Sequence, residues 1–200
     1  MSTKYGHISD EECALFDELL ATLKQEKGGV RFLEIGVSSG DTMRGVVTRC
    51  RELGCAIKAS GVDFAKYKPT PCPLDDYAFY EGDSMDAWRN IKDTFNLLLV
   101  DGCHCVNHAM CDFLNYSPLV EEGGYVVFHD TSLGDGKTVQ DTFPQDHSYA
   151  GKPPSVLGVR EGLKKLGLLQ GYREDWKFVN EIKTGNGLMG MVVLRKIMEL

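Results

Sequence analysis

Two short motifs carry side chains that could perform acid–base or metal chemistry. Asp101 and His104 follow the apolar run NLLLV at residues 96–100, and His129 and Asp130 follow the run YVVF. A carboxylate close to an imidazole can take up a proton from a hydroxyl group or coordinate a divalent cation. These four residues are therefore candidate catalytic or metal-binding groups.

Three further blocks place glycine or polar residues where an apolar run ends. They are EIGVSSG at 34–40, Asp63 after IKASGV, and GDS at 82–84. Glycines in the first block would let backbone N–H groups approach a ligand that a Cβ atom would hold away. A carboxylate at Asp63 could accept both hydroxyls of a ribose. Each block also has a simpler interpretation, as a turn, a strand-capping aspartate and a helix cap.

The glycine block differs from two well-known nucleotide motifs. It is not the GxGxxG of dinucleotide enzymes, and it lacks the lysine of the GxxxxGK[ST] loop that binds nucleoside triphosphates. A nicotinamide-dependent dehydrogenase is therefore disfavoured. The hairpin expected at the end of the chain argues in the same direction.

The elements that must position these groups alternate between apolar runs and helical patterns, as in βα units around a parallel sheet. Strands are expected at 31–35, 57–62, 77–81, 96–100 and 125–128, the third being weak and near an edge. Helices are expected from the capping box of Ser9 and Glu12 to Gly28, along the stripe Met43, Val46, Val47 and Cys50, over 105–117, and from about Ser155. Because parallel strands end at one edge, the polar blocks should converge there.

The end of the chain completes the predicted fold. The segments WKFVNEI and LMGMVVLR read as two strands joined through Asn186 and Gly187, a good hairpin signal. We expect an α/β, Rossmann-like three-layer sandwich with a seven-stranded, mostly parallel sheet and a C-terminal antiparallel hairpin. One domain would cover residues 1–200, with an N-terminal helical segment at 1–29.

Residues 131–154 lack periodicity and are rich in Gly, Asp and Pro. Loops of this length usually have a function, so we expect an active-site loop. Lys137, His147, Tyr149 and Lys152 are candidates for contacts with a substrate, although each is singly explained as a solvated loop residue.

Composition and charge exclude several classes of protein. The net charge of −7 disfavours a sequence-independent grip on nucleic acid, which needs a positive surface. No apolar run approaches the ~20 residues of a membrane span, and the start of the chain lacks a secretory signal. Seven cysteines without a CxxC pair favour reduced thiols and a cytoplasmic protein. A homodimer is compatible with the sequence but not indicated by it.

The blocks together resemble a known family. FLEIGVSSGDT, GVDF, YEGDSMD, LLLVDGCH and GGYVVFHDT are similar to the successive motifs of class I S-adenosylmethionine-dependent methyltransferases. DGxH followed by GGxxxxHD is the most specific part, and it resembles the group of macrocin-type sugar O-methyltransferases and cephalosporin hydroxylase-like proteins. The resemblance spans roughly residues 30–195. It implies methyl transfer from S-adenosylmethionine to a hydroxyl oxygen of a small molecule or sugar.

The resemblance also implies a cofactor site. The block 34–40 would surround the methionine moiety, Asp63 would hold the ribose, and residues 83–84 would lie near the adenine. The implied cofactor-binding residues are Glu34, Gly36, Ser39, Gly40, Asp63, Asp83, Ser84 and Asp101.

Catalytic and metal roles are implied in the same way. In the metal-dependent members, an Asp at the position of Asp101 and an acidic pair after the fifth strand hold magnesium, and the His of DGxH is the general base. This implies His104 as base and a metal site at Asp101, His129 and Asp130. Here the imidazole of His129 replaces one carboxylate. Because Mg²⁺ prefers oxygen ligands, this change weakens the site, favours a softer metal or abolishes it.

Two alternatives stay open. His104 could simply begin a helix, and the chain could be a methyltransferase fold that binds S-adenosylmethionine or another metabolite without catalysing a reaction. Cofactor binding without methyl transfer to any acceptor would favour the second alternative.

A cysteine- and histidine-rich stretch suggests zinc at first sight. It contains Cys103, His104, Cys105, His108 and Cys111. Helical spacing predicts that Val106, Ala109, Met110 and Phe113 face the sheet. His108 and Cys111 would then face solvent, so surface side chains are favoured over a zinc site, and Cys105 is expected to pack as a small hydrophobe.

Overall fold

The computed structural model describes residues 5, 8–64, 77–132, 158–183 and 190–197. The strands are β1 (Gly29–Ile35), β2 (Ala56–Asp63), β3 (Ala78–Glu81), β4 (Phe95–Val100), β5 (Val120–Phe128), β6 (Trp176–Ile182) and β7 (Met191–Lys196). The helices are α1 (Asp10–Lys27), α2 (Asp41–Glu52), α3 (Ser84–Ala87), α4 (Val106–Tyr116) and α5 (Val159–Lys165), with 3₁₀ turns at Trp88–Asn90 and Ser117–Leu119.

The seven strands form one sheet in the order β3-β2-β1-β4-β5-β7-β6. Strands β1 to β5 pair in parallel, whereas β7 is antiparallel to both β5 and β6. This confirms the expected mixed sheet, with the weak third strand at one edge. Residues 184–189, where the hairpin turn was predicted, lie outside the described residues.

Alternating side chains of the central strands pack against helices on both faces of the sheet. On one face, Phe32 and Leu97 contact the apolar side of α1 and α2, including Phe16 and Val46. The residues that follow in each strand, such as Leu33 and Leu98, point to the other face, where α4 and α5 cover them. The protein is therefore a three-layer α/β sandwich, as the sequence predicted.

Most element boundaries agree with the sequence-based expectations to within two residues, and the exceptions have physical reasons. Strand β5 begins at Val120 rather than Tyr125, because Val120 already pairs with Phe95, and the strand continues past an irregularity at which Gly123 has φ +73°. On α4, Met110 is only half-buried, while Asp112 is buried. The last helix is described only from Val159, after the gap at 133–157.

Helix α1 begins as the sequence indicates. Ser9 and Glu12 form the predicted capping box, and Gly28 ends the helix in the left-handed conformation. Within the described residues, no helix combines the length and apolar character needed to cross a membrane.

A buried polar side chain holds two central strands together. Asn96 is fully buried in β4, accepts a hydrogen bond from the N–H of Arg31 at 2.8 Å and donates one to the carbonyl oxygen of Gly29 at 3.0 Å. These backbone groups of β1 lie beyond the stretch paired with β4, which starts at Phe32. The side chain of Asn96 thus makes the hydrogen bonds between β1 and β4 where the backbone pairing of the two strands has ended.

We expect Asn96→Leu to lower the free energy of unfolding by about 1–3 kcal/mol, because it leaves the part-buried N–H of Arg31 and C=O of Gly29 without this partner. Urea unfolding followed by circular dichroism measures the change. Asn90→Ala, at an exposed position, serves as the control and should change stability by no more than about 0.5 kcal/mol. Equal stability of Asn96→Leu and the wild type would contradict this assignment.

Candidate active site

The carboxyl ends of the central strands meet at one edge of the sheet. The N–H of Gly36 donates to the carbonyl oxygen of Val62, and the N–H of Asp101 donates to that of Ile35, both at 2.9 Å. The N–H of His129 donates to the carbonyl oxygen of Val100 at 3.1 Å. The ladder therefore continues one residue past the strands and places the predicted site residues side by side.

The glycine block forms a close turn at the end of β1. Gly36 has φ +87°, and a Cβ atom there would lie 2.2 Å from the carbonyl oxygen of Asp101. Gly40, the N-cap of α2, is also left-handed, and the hydroxyl of Ser39 donates to Asp41. Only glycine fits at position 36, so this requirement comes from the neighbouring strand end.

Asp63 and Asp83 hold backbone groups at the ends of β2 and β3. Asp63 accepts hydrogen bonds from the N–H groups of Ser38, at 2.6 Å, and Phe64, at 2.7 Å. Asp83 caps α3 by accepting from the N–H of Met85 at 3.0 Å. Asp83 therefore acts as a helix cap in the structure, which was one of its two interpretations.

Four polar residues that the sequence singled out form one cluster. His129 Nδ1 lies 3.0 Å from Asp101 Oδ1 and 3.6 Å from Asp130 Oδ1. His104 Nε2 lies 3.4 Å from Asp101 Oδ1 and 3.2 Å from Asp130 Oδ2. Two imidazoles therefore face the same two carboxylates. Asp130 has φ +52°, a left-handed conformation that is uncommon outside glycine.

Donor atoms of Asp101, His104 and Asp130 lie within 4.8 Å of one another, a spacing that a metal ion could bridge. The sequence had grouped His129, rather than His104, with the two carboxylates. In the structure His129 also contacts both of them, but its ring is buried and faces Glu12 on its other side.

The charges of the cluster stabilise one another. Burial raises the pKa of Asp101, but the imidazoles of His129 and His104 outweigh it and hold that pKa well below its usual range. Burial also lowers the pKa of His129, yet the carboxylates of Asp101, Glu12 and Asp130 raise it to about 11. The pKa of His104 is raised for the same reason. The carboxylates therefore increase the basicity of both imidazoles.

Glu12 is a site residue that the sequence analysis treated only as a helix cap. It is fully buried, and its Oε1 lies 3.7 Å from His129 Nε2 while accepting the N–H of Gly190 at 3.0 Å. Its Oε2 accepts hydrogen bonds from Ser9, both at 2.8 Å. Burial raises the pKa of Glu12, but interactions with His129 and Ser9 lower it to about 2. No local motif could have revealed this long-range contact.

Glu34 lies beneath the turn that follows β1. Its side chain is 1% exposed, and its Oε2 has no hydrogen-bond partner among the described residues. Burial, together with the charges of Asp101, Asp63 and Asp41, raises its pKa well above the usual range. A positively charged group beside Glu34 would relieve this repulsion.

The cysteine-rich stretch is arranged differently from the expectation. Sγ of Cys103 lies 3.2 Å from Sγ of Cys105, which in turn lies 2.8 Å from Nδ1 of His108. Cys105 is buried, as expected for a small hydrophobe, whereas His108 is half-buried and directed back towards the start of α4. The assignment of His108 to the solvent face was therefore wrong.

Asp112 is a second buried acid that the sequence analysis missed. It is 0% exposed and lies one helical turn after His108. Ser84 lies beside its carboxylate, but neither oxygen accepts a hydrogen bond of ordinary geometry from the described residues. Burial raises its pKa to about 7, against the stabilising effects of Ser84 and His108.

Tyr5 is buried against Phe16, and its hydroxyl donates to Asp17 at 2.5 Å. The predicted active-site loop at 131–154 lies outside the described residues beyond Ser132, and so do all four of its candidate substrate contacts.

The chain is similar to known proteins in sequence and in structure. Residues 33–131 match a family described as a methyltransferase domain. A search of curated proteins gave no match. Of the solved structures, the O-methyltransferase TomG from Streptomyces achromogenes, in complex with SAM, is 13% identical, covers 92% of this chain and 80% of its own, and gives a TM-score of 0.61.

Two further structures have the same fold. An O-methyltransferase from Bacillus cereus, in complex with SAH, is 12% identical, with 94% of this chain and 82% of that chain covered and a TM-score of 0.60. The methyltransferase MycE from the mycinamycin biosynthetic pathway, in complex with Mg, SAH and mycinamycin VI, is 20% identical. That match covers 96% of this chain but 51% of MycE, with a TM-score of 0.57.

These matches confirm the resemblance to class I methyltransferases that the motifs indicated. The protein has the class I methyltransferase fold, and its segment 33–131 matches the model of a methyltransferase-domain family. The roles of individual site residues stay predictions.

The close approach of Gly36 to Asp101 gives a first test of the site. Gly36→Ala should destabilise the protein by at least about 2 kcal/mol more than Gly54→Ala. Both positions have positive φ, but a Cβ at Gly54 meets nothing within 4 Å. The left-handed strain of about 1–2 kcal/mol is thus common to both variants, and the difference reports the steric clash. Urea unfolding measures both values, and equal losses would contradict the described turn.

The raised pKa of Asp112 predicts a pH dependence of stability. Between the unfolded value of 3.8 and the folded value of about 7, the folded state binds more protons, so stability falls as the pH rises. Asn resembles the protonated carboxyl, so Asp112→Asn should be more stable than the wild type at pH ~8, by up to about 4 kcal/mol. At pH ~4 the two proteins should differ little.

Urea unfolding with a chelator and a reductant present measures this difference. Asp86→Asn, at an exposed position on α3, is the control and should show no such pH-dependent gain. A wild type that is more stable than Asp112→Asn at pH ~8 would show that the carboxylate is stabilised by a partner.

Proposed function

We propose that the protein is an S-adenosylmethionine-dependent methyltransferase that modifies a hydroxyl oxygen of a small molecule or sugar. The observation that carries the proposal is the position of His104. Its Nε2 lies between Asp101 and Asp130, at the same sheet edge as the Gly36 turn and Asp63. This position supports the proposal, because it puts an imidazole that could act as the base at the edge where open α/β sheets usually bind nucleotide-like ligands.

The proposed cofactor site uses the predicted residues at the ends of β1, β2 and β3. Gly36, Ser39 and Gly40 would surround the methionine moiety, and each oxygen of Asp63 can accept a further hydrogen bond from a ribose hydroxyl. Asp83 and Ser84 would lie near the adenine. The acidic character of this edge supports the proposal, because the ammonium and sulfonium groups of S-adenosylmethionine would offset the repulsion around the buried Glu34.

The proposed reaction is a direct displacement at the methyl carbon. The acceptor oxygen forms a bond to the methyl group while the carbon–sulfur bond breaks, and its electron pair stays on sulfur to give a neutral thioether. The proton of the hydroxyl passes to Nε2 of His104. Asp101 and Asp130 stabilise the resulting imidazolium, since both carboxylates lie within 3.4 Å of that nitrogen. Positioning the reactants could supply roughly 7–11 kcal/mol.

Metal assistance is a further part of the proposal. Asp101 and Asp130 would hold a divalent cation, with His129 as the nitrogen ligand that the sequence assigned. Two carboxylates and an imidazole with donor atoms within 4.8 Å of one another would suit such an ion, although the imidazole that meets this spacing is that of His104. An imidazole ligand favours a softer metal than Mg²⁺. When bound, the ion would polarise the acceptor hydroxyl and lower its pKa.

Calorimetric titration with S-adenosylhomocysteine, with Mn²⁺ or Mg²⁺ and again with a chelator, tests the cofactor site. We expect roughly one-to-one, micromolar binding, weakened about tenfold or more in Asp63→Ala because two hydrogen bonds to the ribose are lost. Asp93→Ala is the matched control, since Asp93 is a carboxylate that precedes β4 at the opposite edge of the sheet. Absence of binding in every condition would overturn the proposal.

Turnover with a panel of hydroxylated acceptors tests the base. His104→Ala should bind S-adenosylhomocysteine like the wild type but lose methyl transfer by about 10²–10⁴-fold. Full turnover in this variant would remove His104 from the mechanism. Equal turnover with metal and with chelator would remove the metal ion from it, and cofactor binding without turnover on any acceptor would favour a binding protein.

A further inference from the structure

Three side chains beside the candidate active site bring soft donor atoms together. The sulfurs of Cys103 and Cys105 are 3.2 Å apart, and Cys105 Sγ lies 2.8 Å from His108 Nδ1. All three donor atoms lie within 4.8 Å of one another. We propose that Cys103, Cys105 and His108 form a binding site for a thiophilic metal cation of the Zn²⁺ class, separate from the carboxylate cluster.

The type of donor decides the class of ion. Two cysteine sulfurs and one imidazole nitrogen suit Zn²⁺ and other thiophilic cations, whereas Mg²⁺ and Ca²⁺ require oxygen ligands. The carboxylate cluster offers the opposite set, since Asp101 and Asp130 supply oxygen. The two sites therefore differ in the ion that each would select.

The distances are compatible with closure around one ion. Tetrahedral Zn²⁺, with Zn–S of about 2.3 Å and Zn–N of about 2.0 Å, separates two sulfurs by about 3.8 Å and sulfur from nitrogen by about 3.5 Å. The observed separations are 3.2 Å and 2.8 Å, so each pair has to move apart by only about 0.6–0.7 Å. The sulfurs are much farther apart than the ~2.05 Å of a disulfide, so the two cysteines are not bonded to each other.

Asp112 provides an independent observation in favour of a cation. This carboxylate is fully buried, accepts no hydrogen bond of ordinary geometry from the described residues, and interacts electrostatically with His108 one turn before it on α4. A histidine that binds a metal usually donates its second ring N–H to a carboxylate. Asp112, one helical turn after His108, is the carboxylate that would accept that hydrogen bond in the metal-bound state, and the cation would offset its buried charge.

The location of the site gives it a structural role. Cys103 and Cys105 flank His104 in the chain, and Cys105 is the N-cap of α4. An ion bound to both sulfurs would fix the backbone on either side of His104. Three protein ligands leave a fourth position, which water or an external thiol would fill. Cys103 and His108 are half-buried, so the ion could enter from solvent.

Titration of the reduced, metal-free protein with Co²⁺ and Zn²⁺ tests the site. Cobalt bound to thiolates absorbs strongly in the near ultraviolet, and we expect this absorption to saturate at one equivalent and to disappear when Zn²⁺ displaces Co²⁺. Cys103→Ser and His108→Ala should each weaken Zn²⁺ binding by at least about tenfold, because each removes a direct ligand. Binding should also release protons from the thiols.

Cys111→Ser is the matched control, because Cys111 is a half-buried cysteine of α4 that is not part of the three-residue cluster. It should keep wild-type affinity and absorption, and so should Asp130→Asn, which alters only the carboxylate cluster. Asp112→Asn should weaken Zn²⁺ binding by about tenfold, because it removes the carboxylate that would orient the ring of His108.

Two results would overturn the proposal. One is the absence of cobalt–thiolate absorption in the folded wild type. The other is equal Zn²⁺ affinity of the wild type, Cys103→Ser and His108→Ala, each shown to be folded by circular dichroism. Both tests are independent of the cofactor, and titration of the same samples with S-adenosylhomocysteine separates a failure of this site from a failure of the proposed function.

Discussion

The enclosure of several carboxylates at one edge of the sheet is the constraint on which the site depends. Parallel strands must end together, so Glu34, Asp63 and Asp101 lie close, and their charges repel each other. The structure offsets this repulsion in different ways. Backbone N–H groups bind Asp63, and two imidazoles face Asp101, whereas burial favours the neutral form of Glu34. His129 therefore offsets part of the negative charge that the strand ends bring together.

This electrostatic arrangement joins distant parts of the chain. Glu12 belongs to the first helix and Gly190 precedes the last strand, yet both contact the residues that follow β5. The carboxylate of Glu12 has one oxygen in the capping box of its own helix and one directed at Gly190 and His129. A single side chain thereby couples the start of α1 to the protonation of a buried imidazole. Helix α1 therefore contributes to this edge of the sheet through the contact of Glu12 with His129.

Sequence patterns predicted the sheet and the convergence of strand ends because these follow from local apolar runs and from the geometry of parallel strands. The proximity of Asp101 and His104 was also predictable from the sequence, since they lie three positions apart in the chain. Glu12 was not, because only the folded chain brings α1 to the end of β5. The sequence analysis assigned His108 to the solvent face from helical spacing alone. That assignment failed because Cys105 precedes the helix in an extended conformation, with φ −84° and ψ 153°, and its thiol contacts the ring of His108. Asp112, which the sequence analysis missed, shares the buried face of α4 with Ala109.

The left-handed backbone at Asp130 has a consequence for sequence variation. With φ +52°, this position tolerates glycine, asparagine and aspartate far better than branched or bulky residues. Among those three, only aspartate supplies a negative charge to the two imidazoles. Backbone geometry and electrostatics therefore select the same residue independently, and few substitutions satisfy both. In a set of natural variants, position 130 would be far more restricted than its partial exposure to solvent suggests.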